Sequence, residues 1–275
     1  MVSDYGKATR LHREGLRMAE ELGLWTEVSV RLASLGWIAV QQADYARARD
    51  LSGQGLRLAV EQGFRVGENF AEIGVAFAAR RQGDLDLAER HLSRLLRDAG
   101  PVDEGQAPPL YLSMVLTELG FVAGLRGQAA EAKRLHLRAL RVARTLRGPR
   151  GVAMALEGLA WSVGLAGDHE TSARLLGAAD SARRAVGVPA APSEQAEIGR
   201  TASATRTALG EAAFDAAYQA GMAQTPDAVT AGLTGLGPGD AHAVPRAVCY
   251  VAELPRTSTG KVSRAALRDR PAAGC

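Results

Sequence analysis

What most constrains the fold of this chain is a repeat within its own sequence. A turn residue followed five positions later by alanine or serine recurs at Ser3/Ala8, Ala43/Ala48, Gly83/Ala88, Gly127/Ala132 and Gly167/Ser172, each time opening an amphipathic stretch. The turn residues lie 40, 40, 44 and 40 positions apart. A period in that range belongs to stacked helical hairpins, because one hairpin cannot bury its apolar face alone and its neighbours must cover it. The longer step contains Pro101, Pro108 and Pro109, which read as an insertion between hairpins.

A second mark, Gly36, Gly74, Gly120 and Gly158, falls inside the preceding helical pattern at spacings of 38, 46 and 38. Glycine in a helix interior costs roughly 1 kcal/mol against alanine, so its recurrence needs a compensating reason. Close helix crossing supplies one, with Ala48, Ala88, Ala132 and Ser172 as the expected facing residues. Helical periodicity is clear in Leu85, Ala88, Leu92, Leu95 and Leu96, and strand patterns are absent before about residue 245. Gly23, Gly63, Gly100 and Gly187 follow the second helices, where a left-handed C-terminal turn is expected. Aromatics are only 5% of the residues, so alanine and leucine must supply most of the packing.

Charge excludes less than it first suggests. The balance of 33 basic and 30 acidic residues gives +3, and 30 of the 33 are arginine. That makes nucleic acid an unlikely partner on charge alone. Two cysteines, Cys249 and Cys275, offer neither a disulfide framework nor metal spacing, which fits a cytoplasmic location. The first ten residues carry charges and no apolar run, so neither an export signal nor an anchor is expected. The stretch Gly151 to Gly167 contains Glu157 and is too short for a span, so it reads as a buried helix.

The layout resembles the tetratricopeptide repeat in a form of about 40 residues. The stretch from Ala173 to Val229, ARLLGAADSARRAVGVPAAPSEQAEIGRTASATRTALGEAAFDAAYQAGMAQTPDAV, looks like the C-terminal arm of large bacterial ATP-binding transcriptional regulators of the LuxR/AfsR-like kind. The resemblance implies a sensor arm without the nucleotide-binding and DNA-binding domains of those proteins. Asp4 to Glu21 reads as the second helix of an incomplete first hairpin. Leu11, Leu16, Met18 and Leu22 are then expected to be under-covered, with self-association through that end as the consequence.

From Ala231 to Pro245 the chain turns rich in glycine and proline, as linkers do. Beyond it, Val244 to Arg268, VPRAVCYVAELPRTSTGKVSRAALR, resembles the C-terminal motif of adenylate-forming (AMP-binding) enzymes, the acyl-CoA synthetases and peptide-synthetase adenylation domains. The lysine of that family's P-x-T-x-x-G-K turn reaches the reacting carboxylate and the phosphate of ATP, so the resemblance points to Lys261 as a catalytic residue. Such a cation would offset charge developing as a carboxylate attacks the α-phosphate. The phosphate loop and adenine pocket of that family have no counterpart upstream. Nor is the turn an NTPase loop, because Pro255 and Val262 stand where glycine and a hydroxyl residue are required.

Five histidines, His12, His91, His136, His169 and His242, show no metal-ligand spacing and read as surface or groove residues. No G-x-S-x-G elbow is present. In the basic segment Gln128 to Arg150, Arg134, Arg138 and Arg141 fall at helical spacing and would form a stripe. It is either a solvated face or a contact for an anionic partner. The expected fold class is therefore all-α, a right-handed tetratricopeptide-like helical-hairpin solenoid with a small strand-turn-helix tail. Residues 1–187 form the repeats, 188–233 a helical cap, 234–244 a linker and 245–271 the tail. The expected function is a non-catalytic scaffold holding a protein or peptide, with no cofactor and no membrane. The alternative is an ATP-dependent carboxylate-adenylating ligase, or a partner to one, acting through Lys261.

Overall fold

The computed structural model describes residues 4–100 and 107–233. The chain divides into two compact units, Met1–Gly232 and Leu233–Cys275, and the described helices belong to the first. The linker expected over 234–244 and the strand-turn-helix tail lie outside the described residues. Twelve helices follow one another and no strand occurs among the described residues. They are α1 (Tyr5–Glu21), α2 (Trp25–Gln41), α3 (Tyr45–Glu61), α4 (Arg65–Arg81), α5 (Leu85–Asp98), α6 (Leu112–Leu125), α7 (Ala129–Thr145), α8 (Pro149–Leu165), α9 (His169–Ala185), α10 (Pro192–Leu209), α11 (Glu211–Met222) and α12 (Pro226–Thr230). The hairpins are α2–α3, α4–α5, α6–α7 and α8–α9, each stacked on the next. The fold is a helical-hairpin repeat solenoid of the tetratricopeptide type.

Helix boundaries follow from local chemistry at the turns. Asp4, Asp44, Asp84 and Asp168 each accept a hydrogen bond from the backbone N–H three residues on, at 2.8, 3.3, 3.2 and 3.1 Å. This satisfies one of the orphan donors at a helix start. Gly23, Gly63, Gly100 and Gly187 adopt the expected left-handed conformation, with φ of 68°, 62°, 68° and 63°. Two further turns of this kind are made without glycine, at Ala43 (φ 63°) and Arg147 (φ 50°).

The core lies between first and second helices and is built from small and aliphatic residues, such as Ala88, Leu92, Leu116, Leu140, Leu156 and Leu175. The internal glycines do mark close crossings, and the expected Ala48 faces Gly36 through its backbone carbonyl, 3.2 Å from where a Cβ would stand, but the tightest contacts are to residues the sequence did not point to. A Cβ on Gly36 or on Gly74 would collide with the Ser52 side chain, and one on Gly120 or on Gly158 would collide with the His136 ring. Ser52 and His136 are therefore wedges, each seated between a glycine of its own hairpin and one of the next. Ala132 and Ser172 approach Gly124 and Gly164 instead. The four glycines thus fill two positions in alternation, which explains why they are spaced 38, 46 and 38 while the turns keep near 40.

At the N-terminal end Leu11, Met18 and Leu22 are exposed as expected, together with Leu24 and Trp25. Leu16 is the exception and is partly covered. No helix among the described residues is long and apolar enough to cross a membrane.

Candidate functional site

The first helices of the hairpins share one inner wall. Six positions before each turn residue stands an aromatic ring: Trp37 on α2, Phe77 on α4, Phe121 on α6 and Trp161 on α8. Trp37 meets Phe77 edge-on with centroids 5.2 Å apart, and Phe121 lies tilted against Trp161 at 5.3 Å. Such pairs favour offset or edge contacts, and each contributes beyond the area it buries. Gly124 makes room for the ladder, because a Cβ there would collide with the Trp161 ring. The wall closes on itself where Arg150, at the start of α8, donates to the Gln41 side chain at the end of α2 at 3.0 Å.

Helix α10 runs along this wall. Its Glu197 accepts from Arg80 at 2.7 Å and Arg81 at 3.2 Å, both on α4. One turn earlier, Glu194 accepts from Arg150 on α8 at 2.6 Å and Arg183 on α9 at 3.2 Å. Thr205 lies 3.1 Å from the Ser172 hydroxyl of α9. A small cavity of about 20 Å³ lies beneath the helix, beside Glu118, Met154 and Thr201.

The charges form two linked clusters. In one, Arg80 and Arg81 share the fully buried Glu118, with Arg80 Nε 2.5 Å from Oε2 and Arg81 Nη1 3.2 Å from the same oxygen. Arg80 also lies over the Phe121 ring at 4.7 Å and Arg81 over Phe77 at 5.1 Å. In the other, Arg183 binds Glu157 through two hydrogen bonds, at 2.6 and 2.9 Å. Burial by itself would raise the Glu118 carboxyl, but Arg80 and Arg81 outweigh it and hold the group below the ordinary glutamate value. Glu194 is lowered in the same way, with Arg150, Arg183 and the Ala191 amide outweighing its burial. Glu157 goes the other way, because burial dominates and Arg183 offsets only part of it.

Two clefts flank α10. A larger one of about 840 Å³ lies among α9, α10 and α11, lined by Leu176, Val188, Ile198, Phe214 and Tyr218. A smaller one of about 310 Å³ lies at its other edge, beside Leu125, Trp161, Leu165 and Arg200. Leu125 and Leu165 are half exposed there.

The residues singled out in the sequence fall elsewhere. Arg134, Arg138 and Arg141 sit on α7, a second helix, and outside the α10 groove. Arg134 is tied to Glu131 at 2.6 Å. Arg138 is held below the ordinary arginine value by burial and by the neighbouring cations Arg134 and Arg141. Lys261 lies outside the described residues. His136 is no surface histidine: it is fully buried, and neither ring nitrogen has a hydrogen-bond partner. Among the described residues no cluster of three metal-ligating side chains occurs. The signal for the aromatic rings was present in the sequence, six positions before the turn residues Ala43, Gly83, Gly127 and Gly167, but that the rings meet in pairs across neighbouring hairpins is a matter of tertiary packing.

A tetratricopeptide repeat family model matches residues 111–179, which span α6 to α9 up to Ala179. Among curated protein sequences, none matches this one. Among solved structures, the chain is similar to the crystal structure of BtubC (BKLC) from P. vanneervenii. The identity is 15%, the TM-score is 0.54, and the match covers 90% of this chain and 98% of that one. The likeness extends well beyond the matched repeats, and at that identity it concerns the fold: this is a tetratricopeptide-type solenoid whose inner wall is lined by its own helix.

Proposed function

We propose that this chain is a non-catalytic protein-binding module, a regulator-derived sensor arm that holds a protein or peptide segment against the inner wall formed by α2, α4, α6 and α8. One observation carries the reading. The wall combines aromatic pairs with the buried guanidiniums of Arg80 and Arg81 and already holds a helix, so its shape and chemistry suit a polypeptide. Ligand identity resides in such side chains and not in the scaffold. Self-association through the apolar end at Leu11, Met18 and Leu22 belongs to the same proposal, and light scattering at high concentration tests it by showing a dimer or only a monomer.

Site-specific photo-crosslinking in cells tests the binding mode. Probes at Leu125 and Leu165 are expected to give discrete protein adducts, and probes at Arg57 and Arg90 on the second helices are not. Adducts confined to the second-helix probes would remove the groove reading.

The tail motif supports a second reading, a carboxylate-adenylating activity using ATP and Lys261. Its test is pyrophosphate exchange with a panel of carboxylic acids. Exchange abolished by Lys261→Ala would support it, and no exchange with any acid would exclude it for this chain alone.

A further inference from the structure

The charges of the groove identify what it is built to hold. Without α10, the wall together with the adjoining α9 carries four guanidiniums, Arg80 and Arg81 on α4, Arg150 on α8 and Arg183 on α9, against two carboxylates, Glu118 and Glu157. Helix α10 supplies the missing two, Glu194 and Glu197, three residues apart and therefore on one helical face. Thr201 and Thr205 continue that face toward α9. Arg80, Arg81 and Arg183 are buried while Arg150 keeps 38% of its side chain exposed, and buried excess charge of this kind favours a ligand that restores neutrality.

We infer that the partner of this groove is a helical protein segment bearing two carboxylates three residues apart, followed by small or hydroxyl residues over the next two turns. Helix α10 is its built-in competitor. The inference rests on the binding-module reading and adds to it the chemistry of the ligand and the element it must displace.

Three features fit α10 for release. The residues it buries are Ser193, Glu194, Thr201 and Thr205, none of them apolar, and its Ile198 is only half-buried, so little hydrophobic burial holds it in place. In contrast, α11 buries Phe214 and Ala217 and packs backbone to backbone on α9, where a Cβ on Gly177 or Gly221 would collide with the facing main chain. The sequence of α10 also forms helix weakly, with Gly199 and four threonines and serines in its second half, at Thr201, Ser203, Thr205 and Thr207. Finally, the open clefts of about 840 and 310 Å³ on its two sides leave it without lateral packing.

The connections allow it. Both ends of α10 are anchored, by α9 before it and by α11 after it, so it cannot swing out as a rigid rod. It can unwind in place: its 18 residues span about 27 Å as a helix and can reach about 60 Å extended. Release therefore converts the helix into a slack loop while α11 stays docked.

The test uses the full chain and a labelled synthetic peptide of residues 190–210, followed by fluorescence anisotropy. Wild-type protein is expected to bind the peptide weakly, because the internal copy competes. The E194Q/E197Q protein, whose own α10 no longer matches the wall, is expected to bind it at least about tenfold more tightly, as 1.4 kcal/mol of lost competition would give. A peptide carrying the same two glutamines is expected to lose that gain. A folded double variant with unchanged peptide affinity overturns the inference. Hydrogen exchange on the wild-type chain reads the same equilibrium without substitution. Amides of α10 should exchange through local opening well before those of α8 and α9. Exchange of all three together, or a dimer that trades α10 between copies, also overturns it. Crosslinking at Leu125 and Leu165 is independent of these results, so a groove that binds a partner while α10 stays in place would leave the binding-module reading intact.

Discussion

At the residue scale, two positions show what the repeat tolerates and what it requires. Ala43 and Arg147 hold left-handed backbone conformations that glycine holds at the other turns. For a residue with a Cβ that conformation costs about 1–2 kcal/mol, of which glycine's greater chain entropy would return part. Ala43→Gly is therefore expected to stabilise the protein by about 0.5–1 kcal/mol, as measured by urea denaturation. His136 presents the opposite case, a polar ring in a dry slot. Burial, with a smaller contribution from the charge of Arg80, lowers its pKa to about 3 from 6.5. The unfolded chain takes up a proton as the pH falls through 6.5 while the folded chain does not, so this residue's contribution is complete above that pH and is lost below it. Stability should fall by up to about 1.4 kcal/mol per pH unit between 6.5 and 3 on this account. Leucine already stands at the corresponding positions of the neighbouring hairpins, Leu92 and Leu176. Accordingly, His136→Leu is expected to flatten the dependence between pH 7 and 5, and an unchanged slope in urea melts would count against this assignment.

At the element scale, the hairpins were legible in the sequence because their punctuation is local. A turn residue, the small residue five positions on and a glycine stop each act within a few residues of where they are written. The partner of each internal glycine was less legible. Ser52 and His136 lie 16 residues after one glycine and 22 before the next, and no local pattern shows which of several small residues a crossing will bring opposite. Helix α10 shows the same limit more strongly. It lies in the helical cap expected over 188–233, yet its buried face is polar because the wall beneath it is charged. Glu118 is the centre of that wall. Glu118→Gln leaves Arg80 and Arg81 without their shared carboxylate, and breaking a buried pair in this way is expected to cost about 3–5 kcal/mol. Chemical denaturation measures it, and a loss under 1 kcal/mol would mean that Glu197 alone suffices for both arginines.

At the scale of the whole unit, the ion network makes the solenoid sensitive to acid. Glu118 and Glu194 lie below the ordinary value of 4.5, so the stability they contribute is complete above pH 4.5 and is lost as the pH falls through their lowered values. Glu157, raised by burial, takes its proton first and loosens Arg183 before the others titrate. Small-angle scattering on acidification is expected to show the radius of gyration rising below about pH 4.5 while helix content persists. A constant radius until the helices melt together would contradict this. The period, the glycine stops and the apolar faces determined the hairpins and their stacking from the sequence alone, because each is a matter of neighbours along the chain. Which residues face one another inside the curve was decided by tertiary structure. The arginines of α4, α8 and α9 and the glutamates of α10 are separated by up to more than a hundred positions, and only the superhelical curvature, closed at Gln41 and Arg150, brings their charges within reach of each other.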